Sequence, residues 1–206
     1  MNSIFDLFRR TEKRQPQGPP SVLIACLGNP GREYALTRHN SGYLFAEYYA
    51  KEKGFRIDRA RFDGICGETV IGGVRVLFLC PTTYMNESGR AVRAAADFYK
   101  IPPEKIIVFC DDVNLDVGKM RIRRKGSDGG QKGLRSIIER LGTQDFPRVR
   151  IGVGKKPDPS ADLSSWVLGR FQEEDFKRLK IVFDHCIDAL DDLVKGDFEK
   201  AMSKYN

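Results

Sequence analysis

The sequence has few of the residue types that build metal centres or disulfide frameworks. Its 206 residues include two histidines, which lie far apart, and five cysteines, an odd number with no C-x-x-C pair. That arrangement argues against both a zinc site and a disulfide framework. Several cysteines fall in apolar runs, where a free thiol behaves as a small core residue. We therefore expect a protein without a metal ion, in a reducing, cytoplasmic compartment.

The sequence also lacks a long apolar run. No stretch approaches the roughly 20 residues that a membrane-spanning helix needs, and the N-terminus has no secretory signature. We expect no membrane partner. Residues 1–20 are predicted to be an appendage, with a short amphipathic basic helix over 1–14 and a Pro/Gly linker over 15–20. A transit peptide is an alternative interpretation of this segment, but Asp6 and Glu12 count against it.

The charge balance is basic. The formal net charge of +7 favours a polyanionic partner, with nucleic acid the first candidate, and a merely basic soluble protein is the alternative. Part of the charge is patterned, because the predicted strand at 119–124 alternates apolar residues with Lys119, Arg121 and Arg123. One face of that strand is therefore expected to be apolar and the other strongly basic.

The pattern of apolar residues predicts an α/β fold. A chain of this length with 41% hydrophobic residues builds one core, and continuous apolar runs are typical of strands covered on both faces. We predict a single domain over residues 21–206, with a mixed, mostly parallel β-sheet flanked by helices on both faces. The predicted elements are strand 22–27, helix 41–54, a hairpin of strands 65–71 and 74–80, helix 87–100, strands 106–110 and 119–124, helix 134–141, strand 149–153, a surface loop over 155–165 and helix 173–195.

One histidine stands where α/β proteins place their chemistry. His39 follows strand 22–27 and its turn, and it directly precedes the helix at residue 41. The positive end of a helix dipole disfavours imidazolium, which leaves the ring able to accept a proton. Asp111 ends another predicted strand, so the two side chains can meet if those strands are parallel neighbours. The carboxylate would then fix the tautomer of the imidazole.

The sequence offers no credible protein nucleophile. Its serines lack the G-x-S-x-G setting, and its cysteines lack an electropositive one. The expected attacking group is therefore water, with His39 as the general base. Two amides at loop–helix junctions, Asn29 and Asn86, could orient that water or donate to a developing oxyanion.

Each of these residues also has a purely structural interpretation. His39 could cap its helix, Asn86 could be an N-cap residue, and Asp111 could pair with an arginine. The second histidine, His185, lies among apolar residues of helix 173–195 and is interpreted as a partly buried helical residue without a catalytic role.

Four ordered motifs resemble those of bacterial peptidyl-tRNA hydrolases. The resemblance extends from residue 22 to the C-terminal helix and leaves out only the appendage. The matching segments are LGNPG at 27–31 with Tyr34 and TRHNSG at 37–42, PTTYMNESG at 81–89, DDVNLD at 111–116 with Gly118, and GSDGG at 126–130, followed by Gly133-Leu134 and by RIG at 150–152.

The resemblance implies a single α/β domain that acts as a cofactor-free monomer. Such an enzyme hydrolyses the ester between a peptide and the 3′ end of tRNA, and so recycles tRNA after abortive translation. By position, His39 is then the general base and Asp111 its partner. Asn29 and Asn86 hold the peptide and the reacting ester or water.

Further residues are assigned to the substrate by the same resemblance. Tyr34 lies where the family meets the 3′ end of the tRNA, and basic residues of the family grip the 5′-phosphate of the acceptor stem. The positions that match those basic residues are Arg123 and Arg150. The residues expected to line the substrate cleft are Asn40, Tyr84 and Met85.

The sequence departs from the commonest family pattern in the glycine-rich loop. A histidine and then an asparagine usually follow the glycines, and here Gln131 and Lys132 stand in their places. Gln131 can still form hydrogen bonds and is expected to contact the substrate or the tRNA, whereas Lys132 cannot accept a hydrogen bond. Lys132 is therefore expected to contact a phosphate or a substrate carbonyl.

A non-catalytic RNA-binding relative, like the chloroplast intron-splicing paralogues of this family, is the alternative function. An N-terminal extension and a basic surface suit either interpretation. Because the base, its carboxylate partner and both amides are all present, the sequence favours the enzyme.

Overall fold

The computed structural model of the chain describes residues 17–156, 158, 160 and 162–206. The helix expected over 1–14 and the beginning of the linker lie outside the described residues. The strands are β1 (Val22–Cys26), β2 (Arg59–Arg61), β3 (Gly64–Ile71), β4 (Val74–Pro81), β5 (Ile106–Asp112), β6 (Met120–Arg123) and β7 (Arg148–Gly152). The helices are α1 (Ser41–Lys53), α2 (Ser88–Tyr99), α3 (Lys132–Leu141), α4 (Leu163–Leu168), α5 (Glu173–Lys195) and α6 (Phe198–Tyr205).

The seven strands form one mixed sheet in the order β2-β3-β4-β1-β5-β7-β6. Its centre is parallel, because β1 pairs in parallel with both β4 and β5, and β5 with β7. The antiparallel pairs are β2 with β3, β3 with β4, and β6 with β7. Five of the seven strands, all except β3 and β6, therefore point the same way, which confirms the predicted mixed, mostly parallel sheet.

Helices cover both faces of the sheet, so the apolar residues form two cores. Val22, Ile24 and Cys26 of β1 belong to one core, which lies under α1, α5 and α6. Leu23 and Ala25 belong to the other, which lies under α2 and α3. Every residue of β1 is buried for this reason, which explains its continuous apolar sequence.

Both edges of the sheet are blunted. At β6, the side-chain amide of Asn206 accepts from the Ile122 backbone N–H at 2.7 Å and donates to the Ile122 carbonyl at 3.2 Å, so the chain end covers that edge. At the other edge, β2 has only three residues, and Arg59 and Arg61 are exposed. Short edges that carry charge resist pairing with another chain.

The hairpin and the long C-terminal helix follow the sequence prediction closely. Gly72 and Gly73 adopt φ values of +56° and +84°, as the tight turn between β3 and β4 requires. Helix α5 ends at Gly196, whose φ of +86° forms a left-handed C-cap.

Three elements were not predicted. Strand β2 and helix α6 were missed, and the expected surface loop at 155–165 is wrong at its end, because helix α4 begins at Leu163. The partial burial expected for His185 is also wrong: this residue is exposed on α5, beside the ring of Tyr205. None of the helices in the described part of the chain is long and apolar enough to cross a bilayer.

Candidate active site

The candidate site lies at the carboxyl ends of the central parallel strands. The turn with Asn29 follows β1, a short 3-10 helix (Met85–Glu87) follows β4, and Asp111 lies near the end of β5. Since β4, β1 and β5 are parallel neighbours, these three segments emerge at one edge of the sheet, where open α/β sheets collect ligands.

His39 and Asp111 are in direct contact. His39 lies in a 3-10 turn (Arg38–Asn40) directly before α1, and its Nδ1 is 3.0 Å from each of the two carboxylate oxygens of Asp111. An ionised carboxylate only accepts, so Nδ1 must carry the hydrogen. The Nε2 atom then has a free lone pair, which is the form of imidazole that can accept a proton.

Close packing of α1 against the strands makes this contact possible. A Cβ added at Gly42 would lie 2.5 Å from the backbone nitrogen of Leu27 and 2.7 Å from the carbonyl oxygen of Phe109. Only a residue without a side chain lets the start of α1 approach β1 and β5 this closely. Glycine at position 42 therefore brings the His39 turn down onto the end of β5.

The structural alternatives for these residues do not hold. The N-cap of α1 is Asn40, and that of α2 is Glu87, so neither His39 nor Asn86 caps a helix. The acid that pairs with an arginine is the neighbouring one: Arg150 Nη1 lies 3.2 Å from Asp112 Oδ2. Asp111 contacts His39 instead.

Asn29 is fixed from two sides. Its backbone N–H donates to Asn40 Oδ1 at 2.9 Å, and Asn40 Nδ2 donates back to the Asn29 carbonyl at 3.0 Å. The Met85 backbone N–H donates to Asn29 Oδ1 at 2.8 Å. Because a backbone N–H can only donate, this bond fixes the orientation of the Asn29 amide with Oδ1 toward Met85, and its Nδ2 donors can serve the cleft.

These residues open into a cleft of about 790 Å³. The cleft receives most of the predicted substrate residues, and Asn86 and Tyr84 are exposed within it. Asn40 does not line it, because this residue is 1% exposed and lies behind Asn29. The predicted residues that line the cleft are Asn29, Tyr34, His39, Tyr84, Met85, Asn86, Asp111, Gln131, Lys132 and Arg150.

Arg123, which is expected to bind the 5′-phosphate of the tRNA, lies outside the cleft. It lies on β6, exposed, in register with Arg148 at the start of β7. The residue directly opposite Arg150 is Arg121, which is also exposed. The sequence analysis found the basic face of this strand, but only the pairing register identifies which arginine is the neighbour of Arg150.

The glycine-rich loop is held by a buried arginine that the sequence analysis missed. Arg148 is 1% exposed, and its guanidinium donates to the carbonyl oxygens of Gly126, Ser127, Gln144 and Phe146. Burial lowers its pKa to about 10, so it remains a cation at neutral pH. Because two of these carbonyls belong to the loop, Arg148 fixes the backbone that leads to Gln131.

One wall of the cleft is apolar and was also missed. Leu163, Val167 and Leu168 of α4 line it. A sequence signal existed, because Asp162 precedes this apolar spacing and its carboxylate caps the helix by accepting from the Ser165 N–H at 2.8 Å. The wall is joined to the histidine turn by Arg38, whose guanidinium lies 3.7 Å from the ring centroid of Trp166.

The cysteines of the described core are poor nucleophiles. Burial raises the pKa of Cys66 to about 11 and that of Cys110 to about 12, and it also raises the pKa values of Cys26 and Cys186. These thiols are protonated at neutral pH. Across the residues that the structure describes, no group of three or more His, Cys, Asp or Glu could hold a metal ion.

Comparison with known proteins gives a consistent set of relatives. The sequence model of the family "Peptidyl-tRNA hydrolase" matches residues 23–206. A peptidyl-tRNA hydrolase of Clostridium perfringens is 45% identical over 185 residues, covering 90% of this chain and 97% of the relative. One from Thermoanaerobacter sp. is 47% identical over 184 residues, covering 89% and 98%. The crystal structure of peptidyl-tRNA hydrolase from Acinetobacter baumannii superposes with a TM-score of 0.83 at 36% identity, covering 91% of this chain and 96% of that one.

Proposed function

This chain belongs to the peptidyl-tRNA hydrolase family, and from that premise we propose that it hydrolyses peptidyl-tRNA in the cleft at the ends of β1, β4 and β5. The bond cleaved is the ester between the peptide and the 3′-terminal ribose of the tRNA. The observation that carries the proposal is the buried contact of 3.0 Å between His39 Nδ1 and Asp111, beside two cleft-lining amides.

The first step is attack by water. His39 Nε2 takes a proton from a water molecule as its oxygen bonds to the ester carbonyl carbon, and the carbonyl oxygen becomes an oxyanion. The ring is then an imidazolium, which the carboxylate of Asp111 stabilises through Nδ1–H. General base catalysis of this kind contributes about 10²–10⁴-fold to the rate.

The two cleft amides serve the charge that develops in this step. Asn29 offers Nδ2 donors, because its Oδ1 is held by the Met85 backbone N–H. Asn86 lines the same cleft. We assign to them the binding of the oxyanion and of the peptide next to the ester. A donor fixed in advance stabilises an oxyanion without further reorganisation.

The second step releases the tRNA. The bond between the carbonyl carbon and the ribose oxygen breaks, and the imidazolium of His39 returns its proton to that oxygen. The products are a peptide carboxylic acid, which loses its proton to the solvent, and a tRNA with a free 3′-terminal ribose. The proton that moves from the water to the ribose oxygen passes through His39, and the scheme requires no cofactor.

The cleft walls suit the two halves of the substrate. The apolar residues of α4 provide a surface for peptide side chains, and Tyr34, Tyr84, Met85 and Lys132 would contact the 3′ end or the peptide backbone. We place the acceptor stem along the basic face of β6 and β7, with its 5′-phosphate near Arg121, Arg123 and Arg150. Phosphate contacts of this kind position the nucleic acid and supply much of its affinity.

We propose that the protein is a monomer in solution. Asn206 covers the β6 edge, and β2 is a short edge strand with an arginine at each end, which supports this proposal. A cytoplasmic location agrees with five free cysteines, of which four are buried.

We further propose that residues 21–206 form the hydrolase domain and 1–20 an appendage. A chain lacking residues 1–20 should then retain turnover, and loss of turnover would contradict this division.

A test of the proposal uses both histidines. His39→Ala should lower the rate of tRNA release from a short peptidyl-tRNA by about 10²–10⁴-fold, the contribution of a general base, while tRNA affinity stays nearly unchanged. His185→Ala is the matched control and should behave as the wild type, because His185 lies outside the cleft. If the wild type binds tRNA tightly but releases none, the non-catalytic RNA-binding alternative is correct instead.

A further inference from the structure

Gln131 joins the carboxylate of the candidate site to the start of α3. This residue is the N-cap of α3 and is only 8% exposed. Its Nε2 donates to Asp111 Oδ1 at 3.0 Å, and its Oε1 accepts from the Leu134 backbone N–H at 2.7 Å. The same Nε2 lies 3.2 Å from the sulfur of Met85.

The orientation of this amide is fixed by the chemistry of its neighbours. A backbone N–H can only donate, so the Gln131 atom that faces Leu134 must be the oxygen. The nitrogen then faces Asp111, whose ionised carboxylate can only accept. Both neighbours require the same orientation. One N–H of Nε2 goes to the carboxylate and the other to the Met85 thioether, which is a weak acceptor.

These contacts differ from the substrate contact that the sequence analysis expected of Gln131. Both donors of the amide point at protein atoms, which leaves no N–H for a substrate. Asp111 itself is 4% exposed, and a carboxylate so far from water needs protein donors for the lone pairs that His39 does not use. Gln131 supplies that donor.

We infer that Gln131 is a positioning residue, which keeps the Asp111 carboxylate directed at His39 Nδ1 by linking it to the N-terminus of α3. This inference rests on the proposed function, in which the carboxylate sets the tautomer of the base. Both oxygens of Asp111 are 3.0 Å from Nδ1, so the histidine contact does not distinguish one oxygen from the other. The bond from Gln131 does, because it is made to Oδ1.

The test separates this action from helix capping. Gln131→Glu keeps an oxygen for the Leu134 N–H and therefore keeps the cap. It also places a second carboxyl group against Asp111, and two carboxyl groups at this distance share a proton at low pH and repel each other when both ionise. The shared proton restores the hydrogen bond, so turnover at low pH should be close to that of the wild type.

The expected result is a new alkaline limb in the pH profile. As pH rises and the shared proton is lost, kcat/KM of Gln131→Glu should fall by about tenfold to a hundredfold, the cost of losing a hydrogen bond to a charged group, where the wild-type profile is flat. KM should change little, because no substrate contact is removed. A profile parallel to the wild type at all pH values would overturn the inference, as would a uniform loss without a new limb.

Two further variants distinguish the proposed role of Gln131 from a general loss of stability. Gln131→Met removes both the donor and the cap, and it should lower kcat at every pH. Unchanged kcat in this variant would also overturn the inference. Asp197→Ala removes a cap at α6, where the Asp197 carboxylate accepts from the Lys200 N–H, and it controls for destabilisation alone. It should lower the melting temperature without changing the pH profile.

A second readout does not depend on turnover. In protein labelled with ¹⁵N-histidine, the nitrogen shifts of His39 report which ring nitrogen carries the proton, and His185→Ala assigns the two rings. The wild type should hold the proton on Nδ1, and Gln131→Glu should lose this preference as pH rises. If the wild type releases no tRNA, the proposed function fails, and the tautomer still decides the role of Gln131. An unaltered tautomer in both Gln131 variants would refute that role.

Discussion

Replacing Asp111 by asparagine should disable the base without disturbing the shape of the site. The carboxylate accepts from two donors, His39 Nδ1–H and Gln131 Nε2–H. In Asp111→Asn, Gln131 can only donate, so the oxygen of the introduced amide turns toward Gln131. Its NH₂ group then takes the place of Oδ2, 3.0 Å from Nδ1 of His39. Because two donors cannot face each other at that distance, Nδ1 should become the acceptor and the ring proton should move to Nε2.

The magnitude follows from this change of tautomer. A ring with its proton on Nε2 presents no lone pair to the water, so the general base is lost although every atom stays near its place. The same exchange of carboxylate for amide in a serine-protease triad lowers kcat by about 10⁴-fold. We expect a loss of about 10³–10⁴-fold here, which corresponds to about 4–5.5 kcal/mol in the activation free energy.

The assay is single-turnover release of tRNA from a short peptidyl-tRNA, run beside a tRNA-binding measurement. Affinity should stay nearly constant, because the substituted side chain is 4% exposed. Asp184→Asn is the matched control: it makes the same chemical change on α5, where Asp184 pairs with Lys180 at the surface. This control should keep full turnover.

Turnover of Asp111→Asn within about tenfold of the wild type would refute the reasoning, since tenfold is only 1.4 kcal/mol and a lost base costs more. The ¹⁵N shifts of His39 would then show which step failed. A proton still on Nδ1 would mean that the introduced amide had turned the other way, and so that Gln131 does not control its orientation.

Two other predictions concern the arginines of β6 and β7. Arg121→Ala should raise KM and reduce the slope of log KM against log salt concentration by about one, as expected for one lost phosphate contact. The control, Arg56→Ala, changes an exposed arginine paired with Asp58 and should leave the slope unchanged. An unchanged slope in Arg121→Ala would exclude this residue from the phosphate site. Arg148→Lys should lower the free energy of unfolding by about 2–4 kcal/mol, because an ammonium group cannot reach all four carbonyls and leaves buried acceptors unpaired. Denaturant unfolding measures this change, with Arg140→Lys at an exposed position as the control. A loss of stability no larger than that of the control would contradict the role of Arg148.

Much of the fold could be predicted from the sequence, because the elements repeat their apolar residues at the period of their own geometry. The central strands are apolar without interruption since they are covered on both faces, and α5 carries its apolar stripe between an acidic first turn and a terminal glycine. Two of the missed elements are too short to repeat such a period, although Asp162 marks the start of α4. Strand β2 is three exposed residues long, and α4 has only six residues, too short to repeat a pattern.

The proposed base and its carboxylate partner could also be selected from the sequence, but only the fold decides whether they are in contact. His39 and Asp111 are 72 positions apart, and they meet because β1 and β5 are parallel neighbours. Asp112 follows Asp111 directly, yet it pairs with Arg150, since successive side chains of a strand point to opposite faces. The order of the strands in the sheet cannot be predicted from the local sequence.

What the sequence by itself determined was the kind of protein: a domain of mixed α and β structure that belongs to the peptidyl-tRNA hydrolase family, with a proposed histidine base, a carboxylate partner and two amides at loop–helix junctions. The tertiary structure decided which residues touch. Asn40, which was predicted to line the cleft, instead holds the backbone of Asn29 through two hydrogen bonds. The register between β6 and β7 makes Arg121, not Arg123, the neighbour of Arg150. The tertiary structure also bound both ends of the Gln131 amide inside the protein. The physical reason is the same in each case: these contacts depend on register and on packing between distant segments, whereas periodicity and turn chemistry act only along the chain.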